Sequence, residues 1–199
     1  APNDPPAALA AMTRGITLFW GAGVDIDPLA HFFLALAEWD RDRFASALAL
    51  ASTALAQLQR ADGRWDASWY CGPWFVGFRC LRLLHLVQAR EDVQHKGLQF
   101  LLTRQRPDGG WGEQESTPLE TAIVLILLRH SPHHPIRNRA IDRGRELLLE
   151  HQATDGSWNP SPWIKMVIGR CGGNEPRFLT WHSTTITSAF CLQALVHTR

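Results

Sequence analysis

Three segments of the chain share one template, and that template limits the fold more than any other feature. Gln59-x3-Gly63-x-Trp65, Gln105-x3-Gly109-x-Trp111 and Gln152-x3-Gly156-x-Trp158 recur with their Trp residues 46 and 47 positions apart. An Asp precedes each Gly (Asp62, Asp108 and Asp155). The second and third copies extend upstream in step, as Lys96-Gly97-x2-Phe100-Leu101 and Arg143-Gly144-x2-Leu147-Leu148. The first is degenerate there, with Leu50, Ala51, Ala54 and Leu55. A fixed period of this length means that each copy is one supersecondary unit that buries its core by stacking on its neighbours.

The physics of one unit follows from its residues. A helix ends at the Gln, an Asp-Gly turn reverses the chain, and the Trp folds back over the helix end. Gly accepts the positive φ such a turn needs, and Asp bonds its own backbone there. The Gln amide is suited to satisfy orphan groups at neighbouring helix ends. The pattern predicts helices near 5–19, 28–39, 42–60, 73–88, 91–105, 118–130, 135–152 and 183–197. Asp4 before Pro5, Asp27 before Pro28 and Ser116-Thr117 before Pro118 are start signals. No strand alternation is sustained. Helices that follow a Trp are apolar nearly all round, such as Ala122 to Leu128. Those that precede a Gln are amphipathic, with Arg139, Asp142, Arg143 and Glu146 among their apolar positions. The first kind is buried on every side and the second lies outside. Inner and outer helices in alternation describe an all-α fold, an α/α toroid.

The chain has 199 residues, enough for one domain over 1–199. A net charge of +1 leaves no electrostatic footprint for nucleic acid. No apolar run reaches the roughly 18 residues of a membrane span, and no basic-then-apolar leader opens the chain. At most peripheral membrane contact is expected. The first residue is Ala1, which suggests a processed chain or a piece of a longer one. Cys71, Cys80, Cys171 and Cys191 have no Cys-x-x-Cys spacing and read as reduced thiols of a cytoplasmic protein. Nine Trp against a single Tyr is unusual and needs a cause.

From about Asp25 to Leu195 the chain resembles the QW-repeat superfamily of squalene-hopene cyclases and other class II terpene cyclases, and more distantly prenyltransferase β subunits. Asp27-Pro28-Leu29-Ala30-His31 is similar to the cyclases' Asp-Val-Thr-Ala-His segment. Asp62-Gly63-Arg64-Trp65 through Trp69-Tyr70-Cys71-Gly72 resembles their D-G-S-W…Y-x-Y-G region. Gly109-Gly110-Trp111-Gly112-Glu113, then Ser116-Thr117-Pro118 and Thr121-Ala122, resembles G-G-W-G-E…S-T-P…T-A. The resemblance implies protonation of an alkene or epoxide by the middle Asp of a D-x-D-D motif, inside an aromatic cavity. Such an acid must keep its proton, which desolvation favours. Aromatic faces stabilise the cation without trapping it, at about 2 kcal/mol or more each when desolvated. That accounts for the Trp content.

D-x-D-D is absent. Asp25-Ile26-Asp27 keeps its first three letters, followed by Pro28 and Leu29. By segment order these residues lie one repeat downstream of the family's acid, and His31 matches the His that holds it. The acid is then expected upstream of residue 1. Six helix pairs would need about 276 residues, so about four fit here. A partial ring, incomplete on the N-terminal side, is expected, with a second chain or a homodimer completing it.

The candidate catalytic residues are Asp27, His31 and Asp25; the plainer alternative is that Asp27 caps the helix starting at Pro28. Candidate substrate-binding residues are Trp69, Tyr70, Trp74, Phe75 and Phe78, which could equally be core, with Trp181 and His182; these two and Trp163 lie in or after the long connection 159–182, which either shapes a ligand entrance or is an ordinary surface loop. The repeat Gln and Trp residues are structural. Glu120 is a backup acid near the start of an inner helix. His130, His133 and His134 lack a Cys or carboxylate at ligand spacing, and no Asp-x-Cys pair exists for the zinc of prenyltransferases, so neither metal nor cofactor is expected. Trp111 stands where thioester-containing toroids need Cys, which excludes that chemistry. The expected function is a class II terpene-cyclase-like domain acting on a hydrophobic isoprenoid. The alternative is a non-catalytic toroid that binds a hydrophobic ligand or another protein, and a prenyl-transfer accessory subunit is disfavoured.

Overall fold

A computed structural model describes residues 25–131, 135–168 and 177–198. The elements are α1 (Ile26–Asp40), α2 (Ala45–Leu58), α3 (Trp74–Leu86), α4 (Glu91–Thr103), α5 (Pro118–His130), α6 (Arg137–Glu150), β1 (Ser161–Ile168), β2 (Arg177–Ser183) and α7 (Thr184–His197). Seven expected helices are present with ends within three residues of the reading. The eighth, 5–19, lies outside the described residues, as do Cys171, His133 and His134.

Helices α1, α3, α5 and α7 pack side by side as the inner layer, and α2, α4 and α6 cover them. Every residue from Leu119 to Leu128 of α5 is buried, whereas α6 buries only Ala140, Ile141, Gly144, Leu147 and Leu148. That is the difference between an apolar rod and a single apolar stripe. The inner helices start on strong caps. Thr117 Oγ1 accepts the Glu120 amide and donates to Glu120 Oε2, a side-chain cap ahead of Pro118. Ser183 caps α7 through the Ile186 amide. The cap of α1 is Asp25, whose Oδ1 accepts the Asp27 amide, rather than Asp27 itself. The helix therefore starts two residues earlier than Pro28 suggests, and Pro28 sits within a first turn that needs no amide from it. This shift releases the Asp27 side chain for other contacts.

The repeat works as its residues suggest. Trp65, Trp111 and Trp158 each donate from Nε1 to a carbonyl ten residues back, those of Leu55, Leu101 and Leu148, at 2.7–2.8 Å. The Gly residues take φ of +95°, +95° and +85°. Gln59 Nε2 bonds the Gly63 carbonyl and also Val93 of α4; Gln105 bonds Gly109 and also Ala140 of α6. These two Gln residues thereby tie their own turns to the next outer helix. Gly109 must lack a side chain, because a Cβ would sit 2.7 Å from the Arg143 carbonyl.

The long connection departs from the all-helical reading, because it is an antiparallel hairpin of β1 and β2. Pro162 near the start of β1 and a bulge between Pro162 and Ile164 break the alternation that would have revealed it. The bulge also lets the hairpin pair with the loop before α3: Cys71 donates to the Trp163 carbonyl and Lys165 to that of Trp69. Its base is pinned to α7 by the Ser161 amide on Thr187 Oγ1. Among the described residues no helix is long and apolar enough to cross a membrane.

Candidate active site

The inner helices all begin at one end of the toroid, and Asp25, Asp27 and His31 gather there. Asp27 is 3% exposed. Its Oδ2 accepts the amides of Ser68 and Trp69 at 2.9 and 2.7 Å, across more than forty residues of chain. Its Oδ1 is buried without a completed hydrogen bond. Burial lifts the Asp27 carboxyl above its ordinary value; the Trp69 amide opposes the rise and the Asp25 carboxylate adds to it. Asp25 Oδ2 accepts Trp69 Nε1 at 2.7 Å, so the two aspartates clamp the loop from both sides.

One turn along α1, His31 Nδ1 lies 2.7 Å from the Asp27 carbonyl oxygen. The Nδ1–H donates in that bond, which assigns the lone pair of the neutral ring to Nε2. Burial, joined by the Arg79 charge, holds the imidazole below its ordinary value, against the Asp27 bond. A neutral ring at pH 7 follows.

Aromatic rings wall this corner. His31 stacks on Tyr70 at 5.8 Å and meets Phe75 at 5.4 Å. Tyr70, Phe75 and Trp163 lie 4.3–4.8 Å apart, and Phe190 of α7 closes on Phe75 at 6.0 Å. Phe78 continues the stack below Phe75. Arg79 places its guanidinium 4.8 Å from the Phe75 centroid. The geometry thus groups Asp25, Asp27, His31, Trp69, Tyr70, Phe75 and Phe78. Trp74 turns the other way, stacking on Phe100 of α4. Trp181 and His182 are exposed on β2.

Sequence reading missed two members of this corner and placed a third, Trp163, only in the long connection at the mouth. Arg79 follows Phe78 on an apolar helix and had only its charge to signal it. Phe190 stood out only as part of an apolar run. Trp163 is carried in by the hairpin bulge. Glu120 lies apart, at the start of α5, where burial pushes its carboxyl up to about 7. Among the described residues no group of three His, Cys, Asp or Glu side chains is placed to hold a metal ion.

Alternating inner and outer helices of this kind make the α/α toroid of the class II terpene cyclases. The chain belongs to the squalene-hopene cyclase C-terminal domain family, whose model matches residues 22–199. It is 30% identical over 146 residues to a copalyl diphosphate synthase of Streptomyces cyslabdanicus, covering 67% of this chain and 27% of that protein. It is 27% identical to the lanosterol synthase of Saccharomyces cerevisiae, covering 64% and 19%. The chain therefore spans about a quarter or less of these curated relatives. The fold matches a crystal structure of a protein from Actinoplanes at TM-score 0.71, 23% identity, over 98% of this chain and 62% of that one. It also matches the R337A variant of the type II terpene cyclase MstE from Scytonema in complex with geranylgeranyl dihydroxybenzoate, at TM-score 0.66 and 19% identity, over 83% and 51%.

Proposed function

We propose that this chain is the part of a class II terpene cyclase that orients the initiating acid and shelters the carbocation of a polyprenyl or triterpene substrate. The observation that carries the reading is His31, tied at Nδ1 and presenting Nε2 beside Tyr70 and Phe75. A proton taken up at Nε2 when the acid docks lets His31 donate to one oxygen of a carboxylic acid, whose other oxygen keeps its own O–H toward the substrate alkene. The acid's proton adds to one alkene carbon, the π pair forms the C–H bond, and the neighbouring carbon becomes cationic. The next alkene attacks it to close a ring, and loss of a proton ends the sequence. Tyr70, Phe75, Phe78, Trp163 and Phe190 stabilise the cation through their faces. Asp25 and Asp27 hold the Trp69 loop that carries Tyr70. Trp181 and His182 flank the mouth. The acid comes from a further segment or a second chain, and the cytoplasm is the proposed setting.

A second reading, with Asp27 itself as the acid, is favoured by its buried, unbonded Oδ1 and raised pKa. Incubation with geranylgeranyl diphosphate, farnesyl diphosphate and squalene, read by mass spectrometry, separates the two. Cyclised product lost in Asp27→Asn makes Asp27 the acid. Product that survives Asp27→Asn but falls in His31→Ala favours the orienting role. Substrate bound tightly but never converted, even when the missing portion of a parent protein is supplied, would make the chain a hydrophobic-ligand toroid instead.

A further inference from the structure

Glu120 stands outside the corner around His31, yet it touches the loop that builds that corner. Residues 68–72 are held at three points. Asp27 accepts the amides of Ser68 and Trp69. The Cys71 amide donates to the Trp163 carbonyl. At the far end Gly72 packs on Glu120 and Trp74 together, since a Cβ there would lie 2.9 Å from Glu120 Oε1 and 3.0 Å from Trp74 Nε1.

The surroundings of this carboxyl give its two oxygens different tasks. Thr117 Oγ1 donates to Oε2 at 2.9 Å, which leaves Oε1 to carry the proton of the neutral acid. Oε1 shares the space over Gly72 with Trp74 Nε1, a buried N–H without a completed hydrogen bond. A proton on Oε1 sets donor against donor. Its loss turns Oε1 into a charged acceptor beside an unused donor. Burial lifts the Glu120 carboxyl to about 7, with Thr117 and Trp74 opposing the rise and Glu113 assisting it. The Cys71 thiol is held above its ordinary value by burial, with Lys165 opposing and Glu120 and Glu113 assisting, so it keeps its proton near pH 7. Glu113 and Lys165, with Arg64 and Asp66, border a polar pocket of about 200 Å3 against Gly72, through which a proton can pass to water.

We propose that Glu120 is a positioning residue for the His31 corner: when its proton leaves, Oε1 captures the Trp74 N–H, and the adjustment of residues 72–74 resets Tyr70 and Phe75 against His31. Tyr70 lies two residues before Gly72 and Phe75 directly after Trp74, and both rings meet the imidazole. The consequence for cyclisation rests on the proposed function; the coupling of Glu120 to Tyr70 does not.

Tyr70 is the only tyrosine of the chain, so its ring signals are unambiguous in NMR spectra followed from pH 5 to pH 9. The Glu120 carboxyl carbon, the Trp74 indole N–H and the Tyr70 ring are expected to change together with a midpoint of about 7, the indole moving downfield as its bond forms. Asp27 and His31, which also reach Tyr70, keep their own steps in both variants below. Glu120→Gln should abolish the steps of Tyr70 and Trp74 near pH 7. Trp74→Phe keeps an aromatic ring and loses the N–H; it should abolish the same Tyr70 step and raise the Glu120 midpoint by at least about 1 pH unit, because a hydrogen bond to a charged group has gone. If Glu120→Gln fails to fold, Trp74→Phe decides alone. A Glu120 titration that leaves Tyr70 unmoved overturns the proposal, as does a Tyr70 step near pH 7 that survives either variant. A Glu120 midpoint unchanged in Trp74→Phe removes the indole link and overturns it too. These measurements use no substrate, so a chain that neither binds nor converts polyprenyl compounds counts against the proposed function alone.

Discussion

Glu120 is the side chain with the clearest thermodynamic consequence. It sits in the first turn of α5, 7% exposed, and burial pushes its carboxyl up to about 7, opposed by the Thr117 hydroxyl and assisted by Glu113. The folded state therefore keeps a proton that the unfolded chain releases from about pH 4.5 upward. Native stability must fall as pH rises from 4.5 to 7 and stay low above that window. Glu120→Gln is expected to remove this slope and to raise stability at pH 8 by about 2 kcal/mol. Urea denaturation at pH 5, 6 and 8 checks it, and an unchanged slope would mean that another group sets the dependence. Gly72 packs directly against this carboxyl, since a Cβ there would lie 2.9 Å from Glu120 Oε1, and its φ is +70°. Gly72→Ala is thus expected to cost about 1–3 kcal/mol, measured as a lower urea midpoint. Resemblance to the cyclases' segment pointed to Asp25, Asp27 and His31 as candidates. The amides of Ser68 and Trp69, more than forty positions away, were invisible in the sequence because only folding brings that loop to Asp27.

At the scale of elements, the helices were legible because apolar periodicity and the repeat reinforce each other, and the hairpin was not. Its strands contain a Pro and a bulge, and the same bulge gives it a purpose. Trp163 enters the aromatic corner from the bulge, while its carbonyl and the Lys165 amide pair the hairpin with residues 69–71. The hairpin therefore sets where Tyr70 stands relative to His31. Trp163→Ala is expected to cost about 3 kcal/mol, as for large aromatic truncations in cores. It should also speed hydrogen exchange at the Cys71 and Lys165 amides well before the α5 amides respond. Uniform exchange across hairpin and helices would show that the two are not coupled in this way. Both outcomes are readable without any substrate.

At the scale of the whole molecule, the repeat exposes its own unfinished edge. Gln59 and Gln105 each reach a carbonyl of the next outer helix, but among the described residues Gln152 bonds only the Gly156 carbonyl of its own turn. A Cβ on Gly109 would strike the next helix, while one on Gly156 would meet only the Gln152 amide, at 3.9 Å. Beside this socket α7 presents Leu192 and Val196, and α6 presents Leu149, each more than half exposed. An inner helix that is apolar on all sides is built to be covered on all sides. The third repeat thus keeps the chemistry of an interface that the first two complete within the chain. Association through this edge follows, whether with a second copy or with another toroid segment. Sedimentation velocity over a wide concentration range should show self-association of the native chain. Leu192→Glu with Val196→Glu should weaken it at least about a hundredfold, since each leucine or valine contributes about 1.5–3 kcal/mol when buried. If the native chain remains monomeric at high concentration, a second copy does not cover the edge. Mixing the chain with another toroid segment should then bury Leu192 and Val196 from solvent exchange and chemical footprinting.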